Sequence, residues 1–345
     1  MYEEVINKIL ESIDEKRIFT ESYPKFSGEG YRAHKIDAKN FHEINLSMSN
    51  KKIAFIDGGN SEIIASGNFS LSLIRVCYVI FQNNKKIGTK KFEIFAFVRA
   101  ENKDNEICYR ASIFGGKSQM QLDENSFSSF DHTLMTGISR VEISSVSNAI
   151  RRFAELKLAK IVADEKLSDI IVLDGTLQST LSNENKYLNE LYESCEKNNV
   201  VLSSLSKTSS LFTENGNLLS TVLISVSKIP LWLYYPVVEI NNPNHKAEMF
   251  FVKMHRNSKH VFRFEIFNIQ RLNAEETITE LASNCVDPIF IGYPYGFVEA
   301  DRIARVGNHE KESLRTMLLV KLRNKNIGKY LNSVNAHEIL DKISF

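Results

Sequence analysis

The stretch Ile53-Ala54-Phe55-Ile56-Asp57-Gly58-Gly59-Asn60 delivers a run of apolar, β-forming residues onto an aspartate and two glycines. It has a counterpart in Ile170-Ile171-Val172-Leu173-Asp174-Gly175-Thr176. A buried strand that ends on a carboxylate, with glycine letting the backbone turn away, is a common way to hold a metal ion beside a sheet. A single Asp-Gly is more often an ordinary turn, because both residues are favoured there and Asp also caps helices. Two copies suggest one shared metal site. Before the second copy, apolar residues at Ile150, Phe153, Ala154, Leu158, Ile161 and Val162 follow the three-four spacing of an amphipathic helix. Glu155 stands at the edge of that stripe, either reaching a site at the sheet edge or solvated on the flank.

With 345 residues, 43% hydrophobic and 25% charged, the chain has the composition of a globular protein with one large core or two modest ones. Its longest apolar runs, such as Leu231 to Val238, are too short to span a bilayer, and Met1 to Ile6 lacks a secretory pattern, so a cytoplasmic protein without membrane association is expected. The four cysteines, at 77, 108, 195 and 285, have no paired spacing for zinc or a redox disulfide. A formal net charge of +1 excludes nucleic-acid binding by bulk charge but not by a local patch. From Asp301 to Tyr330, eight Lys or Arg face three acids, which is either a solvated helix face or a phosphate-binding one.

The pattern predicts an N-terminal helix over residues 1–20 and an extended arm over 20–48. A three-strand meander follows over 52–57, 68–81 and 90–99, turning at Gly58-Gly59 and at Asn83-Asn84. Residues 101–135 read as an irregular excursion of no assigned role. Helix 144–164, the strand ending at Asp174, helix 183–198 and strand 200–206 then alternate, as parallel pairing requires. A second β block covers 231–238, 247–254 and 260–267, with His255 and Arg263 on neighbouring strands. A helix opens at Asn273, a short strand and turn occupy 287–295, and a last helix spans 297–322. The domain reading is an N-terminal helix and arm, 1–45, for dimer or partner contact, and one compact domain, 46–345.

An antiparallel meander, then helix, parallel strand, helix and strand, with acids at the first strand, the helix, the fourth strand and a late helix, is a ribonuclease-H-like layout. The expected fold class is α/β: a ribonuclease-H-like mixed sheet flanked by helices, with an additional β-rich block. Asp57, Glu155, Asp174 and Asp301 would then converge as a two-metal site. Glu142 is a competing helix acid.

The chain also resembles the NurA nucleases. The resemblance rests on Ile56-Asp57-Gly58-Gly59, Arg151-Arg152-Phe153-Ala154-Glu155-Leu156, Leu173-Asp174-Gly175-Thr176-Leu177 and Leu205-Ser206-Lys207-Thr208-Ser209. It continues through Phe251 to His255, Val261 to Glu265, Gly292-Tyr293-Pro294-Tyr295 and Glu299-Ala300-Asp301-Arg302. It spans about residues 50–320. It implies a DNA nuclease that uses manganese or magnesium, as two ions held by Asp57, Glu155, Asp174 and Asp301. It also implies 5′ to 3′ exonuclease and single-strand endonuclease activity, a homodimer, and work with the hexameric HerA-type ATPase in end resection and break repair. Two positions depart from the family pattern: Gly59 and Thr176 stand where serine is frequent. Asp301 occupies a place that is histidine in some relatives. Lys207 is the candidate for the scissile phosphate, and Arg151, Arg152, Tyr293 and Arg302 for DNA contact, with Tyr293 and Tyr295 stacking on a base or packing a turn. The rival readings are a non-catalytic DNA-end-binding scaffold and a nuclease of the same fold acting on RNA or junctions.

Overall fold

A computed structural model describes residues 2–12, 22–47, 49–116, 120–123 and 125–322. In chain order the elements are α1 (Tyr2–Ser12), β1 (Pro24–Lys25), β2 (Tyr31–Ala33), β3 (Phe41–Glu43), β4 (Lys52–Ser66), β5 (Phe69–Gln82), β6 (Lys85–Lys103), β7 (Glu106–Gly115) and β8 (Asn125–Ser128). Then come α2 (Ser145–Asp164), β9 (Ile170–Asp174), α3 (Glu184–Asn198), β10 (Val201–Ser206), β11 (Phe212–Thr213), α4 (Leu219–Val226), β12 (Trp232–Tyr234) and β13 (Val238–Ile240). The remainder are β14 (Ala247–Lys253), β15 (Phe262–Phe267), α5 (Ala274–Ser283), α6 (Tyr295–Ala304) and α7 (Asn308–Leu322). The described residues fall into two compact units. One is drawn from Met1–Lys51, Asp174–Gln178 and Val201–Tyr295, the other from Lys52–Leu173, Ser179–Val200 and Gly296–Phe345.

The second unit holds a mixed sheet in the order β9-β4-β5-β6-β7-β8. Strands β4 to β6 form the expected antiparallel meander, and β9 joins the other side of β4 in parallel, with Ile53 opposite Ile170 and Ile56 opposite Leu173. This is the ribonuclease-H-like arrangement. Asn83 and Asn84, at φ 50° and 57°, make the two-residue turn between β5 and β6, a conformation Asn tolerates well. Helix α2 covers the sheet because its apolar positions recur at helical spacing, and Ala149, Ile150, Phe153, Ala154 and Leu158 are fully buried. Helix α7 closes the end of β4, where Leu314, Leu318 and Leu319 pack on Ile63, Ile64 and Leu73.

Three expectations are corrected here. The backbone does not turn at Gly58-Gly59. Strand β4 runs on to Ser66 because β5 lies antiparallel to it throughout, with Asp57 opposite Cys77, Gly58 opposite Val76 and Gly59 opposite Arg75. Much of the predicted excursion is ordered sheet: β7 pairs with β6, β8 pairs with β7, and the alternating Tyr109, Ala111 and Phe127 are buried. The long last helix is two helices, α6 and α7, interrupted at 305–307.

Gly59 has a packing reason to be glycine. A Cβ there would lie 2.5 Å from the backbone oxygen of Ala304, at the end of α6. Gly59→Ser should therefore cost about 1–3 kcal/mol by overpacking, read as a lower denaturant midpoint. An unchanged midpoint would show that α6 yields without cost.

The first unit holds an antiparallel sheet in the order β3-β12-β14-β15-β10. Its core gathers Phe41, Leu219, Val222, Trp232, Tyr234, Met249 and Phe251. The predicted arm is built into this unit rather than extended from it: β1 pairs with β11, β2 with β13 and β3 with β12. His255 follows β14 in a bend, not on the strand, and residues 288–290 form a short 3-10 helix in place of the predicted strand. Helix α1 is described over Tyr2–Ser12, and the predicted helical residues 13–20 lie outside the described ones.

Candidate active site

Asp57 is the last residue of the buried run of β4, and it is only 5% exposed. Its Oδ1 accepts a hydrogen bond of 2.7 Å from the N–H of Gly58. The Gly58 carbonyl accepts from Arg151 Nη1 at 3.1 Å, and the same nitrogen donates to Glu155 Oε1. One glycine thus links the two carboxylates of β4 and α2. Gly58 also leaves the room that Glu155 occupies, since a Cβ at 58 would lie 2.5 Å from Glu155 Oε1 and 3.0 Å from Val76 Cγ1. Pairing with β9 stops at Ile56 opposite Leu173, one residue short of Asp57. Cys77, opposite Asp57, reports the local charge: burial first, then Asp57 and Glu155, push its thiol up to about 12.

Glu155 is buried rather than solvated on a flank. Arg151 grips it from one side, and Arg152 Nη1 lies 3.7 Å from Oε2 on the other. Arg152 Nε also donates to Glu184 Oε1 at 2.8 Å. Burial pulls the Arg152 guanidinium down, but Glu184 and then Glu155 hold it above its ordinary value. Glu184, itself buried, accepts from the Thr180 and Leu181 N–H groups at 2.8 and 3.1 Å, which fixes the turn before α3. Sequence reasoning placed both arginines on DNA and overlooked Glu184. In the structure both guanidinium groups face buried carboxylates.

Asp301 lies on α6, whose Ala300 carbonyl accepts from the Cys77 thiol at 3.3 Å. Its Oδ2 accepts from Arg305 at 2.8 Å, and the side chain is 42% exposed. Arg302 is exposed and pairs with Glu299 at 3.0 Å. In the first unit, Asp174 Oδ2 lies 2.8 Å from Lys207 Nζ. The turn beneath them is closed by Gly175 N–H donating to Leu205 O at 3.1 Å and by Ser206 Oγ donating to Gly175 O at 2.7 Å. Gly175 takes φ 101°, a conformation that favours glycine. Tyr293 is buried, with its ring 4.9 Å from Phe290 and 5.3 Å from Phe262, so it packs the turn rather than offering a face to a base.

Among the described residues, no three His, Cys, Asp or Glu side chains gather around one point. Asp57 and Glu155 nonetheless suit a hard divalent cation, being buried oxygen donors beside a neutral thiol. Glu155, Asp174 and Asp301 are each balanced by a cationic side chain.

The first unit also holds a buried acid that the sequence did not reveal. Glu265 is fully buried, and it accepts from Arg263 Nε at 2.6 Å and from the Leu177 N–H at 2.8 Å, with His245 Nε2 lying 3.2 Å from its Oε1. Burial pushes its carboxyl up, but Arg263 and then His245 prevail and bring it down to about 2. A carboxylate lowered in the fold stabilises it fully above the unfolded value, and that contribution fades as pH falls from the ordinary value of 4.5 toward about 2. The pH 7 contribution is on the order of 3 kcal/mol. Glu265→Gln should therefore flatten the acid limb of a stability-versus-pH curve. An acid limb identical to the parent protein's would exclude this linkage.

A family model described as the NurA domain matches residues 51–306. The structure is similar to the NurA nuclease from Sulfolobus solfataricus, with a TM-score of 0.50 and 16% identity, covering 83% of this chain and 88% of that one. The catalytic domain of human Endonuclease V gives a TM-score of 0.38 and 9% identity, over 78% of this chain and 84% of that one. At these identities the likeness is one of fold. No curated protein matches in sequence.

Proposed function

The chain belongs to the NurA family, and from that premise we propose that it is a divalent-metal-dependent DNA nuclease. The observation that carries this reading is the buried pair Asp57 and Glu155, joined through Gly58 where the pairing of β4 with β9 ends. Asp57 and Glu155 would hold manganese or magnesium, and the family resemblance implies Asp174 and Asp301 as further ligands. Such ions supply Lewis acidity at the phosphodiester and at the attacking water. Arg151 and Arg152 orient the Glu155 carboxylate. Lys207, partly exposed just after β10, would offer its ammonium group to the scissile phosphate.

The finer reading is 5′ to 3′ exonuclease and single-strand endonuclease activity in end resection, in the cytoplasm, as a homodimer with a HerA-type hexameric ATPase. The family resemblance supports it. No helix among the described residues is long and apolar enough to cross a membrane. Assembly has one physical support: Val5, Ile6, Ile9 and Leu10 of α1 are all about half exposed or more. Val5→Glu with Ile9→Glu should reduce self-association or capture of the translocase in size-exclusion chromatography and pull-down. Unchanged elution and capture would remove α1 from the interface.

The direct test is cleavage of 5′-labelled single- and double-stranded DNA, RNA and hybrids with manganese, magnesium or chelator. Metal-dependent DNA cleavage supports the reading. Cleavage confined to RNA or junctions would move it to another substrate, and DNA binding without cleavage, even with the translocase added, would make the protein a scaffold.

A further inference from the structure

The first unit contains a half-open cavity of about 570 Å³, a volume suited to a nucleotide-sized ligand. Its lining combines two cations, Lys25 and Arg263, with the hydroxyls of Thr208 and Ser209 and the rings of Phe26 and Tyr31. Phe26 and Tyr31 are stacked on one another, with centroids 5.2 Å apart and planes 5° from parallel. An aromatic face of this kind accepts a base without regard to sequence, while Lys, Arg and Ser or Thr hydroxyls are the usual partners of phosphate oxygens.

The charge in this cavity is fixed from beneath. Arg263 Nε and Nη2 both engage Glu265 Oε1, and Arg263 also lines the cavity. A guanidinium carries five N–H donors, so two bonds to Glu265 leave the fork capable of a phosphate contact. His245 sits between Glu265 and the aromatic wall, with its Nε2 3.2 Å from Glu265 Oε1 and its Nδ1 3.0 Å from the Tyr31 hydroxyl. The aromatic wall and the cation therefore share one buried network. Prepaying the order of a long side chain in this way favours binding, because less freedom is lost when the ligand arrives. The cavity also takes in Ser206 and Thr208, which flank Lys207 in sequence.

The geometry points to this cavity as a nucleotide subsite for a DNA strand, with Arg263 and Lys25 on a phosphate, the Phe26–Tyr31 face beneath a base, and Glu265 as the positioning residue. The inference deepens the nuclease reading and rests on it for the choice of DNA. Its test is binding in the presence of chelator, where no cleavage occurs: titration of dAMP, of deoxyadenosine and of a fluorescent single-stranded deoxyoligonucleotide. The intact protein should bind dAMP about tenfold tighter than deoxyadenosine, reflecting a charge-assisted phosphate contact. The double variant Arg263→Gln with Glu265→Gln, which removes the buried pair together, should lose that preference. Lys25→Ala, an exposed side chain, should weaken oligonucleotide binding several-fold without changing the melting temperature. It decides the matter if the double variant fails to fold.

Equal binding of dAMP and deoxyadenosine, or oligonucleotide binding unchanged in a folded double variant or in Lys25→Ala, overturns the subsite. Phosphate-dependent binding lost in these variants, in a protein that cleaves nothing with any metal, keeps the subsite and rejects the nuclease reading. Cleavage that depends on Asp57, with dAMP and oligonucleotide binding indifferent to Arg263 and Lys25, does the reverse.

Discussion

Asp57→Asn is expected to give a folded protein whose metal-dependent DNA cleavage falls by roughly a thousandfold or more, the scale of several kcal/mol of lost metal-borne charge stabilisation. The substitution keeps the volume of a side chain that is 5% exposed, and the amide oxygen can still accept from the Gly58 N–H. What it removes is the negative charge. A melting curve close to that of the parent protein, alongside lost cleavage in both manganese and magnesium, would locate the defect in the reaction. Cleavage at the parent rate would mean that Asp57 holds no ion needed for chemistry, and the proposed site would have to be abandoned.

Glu155→Ala should fail in a different way. Glu155 is a buried carboxylate between Arg151 and Arg152, and removing it leaves Arg152 with Glu184 as its remaining buried acid in this cluster. Breaking a buried ion pair from one side typically costs 3–5 kcal/mol, because the cation left behind stays desolvated. The variant should therefore lose about 3 kcal/mol in urea or guanidinium titrations as well as losing cleavage. The pair of variants separates two roles, with Asp57 tied to chemistry and Glu155 to chemistry and architecture together. A Glu155→Ala protein as stable as its parent would show that the two arginines find water or other partners on its removal. Glu155→Gln, which keeps shape and hydrogen-bonding capacity, should recover much of the stability without recovering activity.

The sequence by itself determined the elements whose signals are local. The apolar runs ending at Asp57 and Asp174, the three-four periodicity of α2 and the alternation of strand and helix after it specify a mixed sheet with a parallel strand beside the first. Side-chain periodicity and crossover length are properties of short segments, so they can be read before any contact is known. The candidate acids were legible for the same reason, since each sits at the end of a strand or on one face of a helix.

Only the tertiary structure decided what the glycines and arginines do. Gly58 and Gly59 look like a turn in one dimension, yet β5 continues alongside them, and they are small because Glu155 and the Ala304 carbonyl stand where their Cβ atoms would be. Arg151 and Arg152 look like an exposed basic step on a helix, yet they face Glu155 and Glu184, the second of which comes from the start of α3, about thirty residues away. The burial of Glu265 and its link through His245 to Tyr31 depend on residues more than two hundred positions apart. Close approach and charge pairing arise between segments that meet only after the chain has folded, and no periodicity records them.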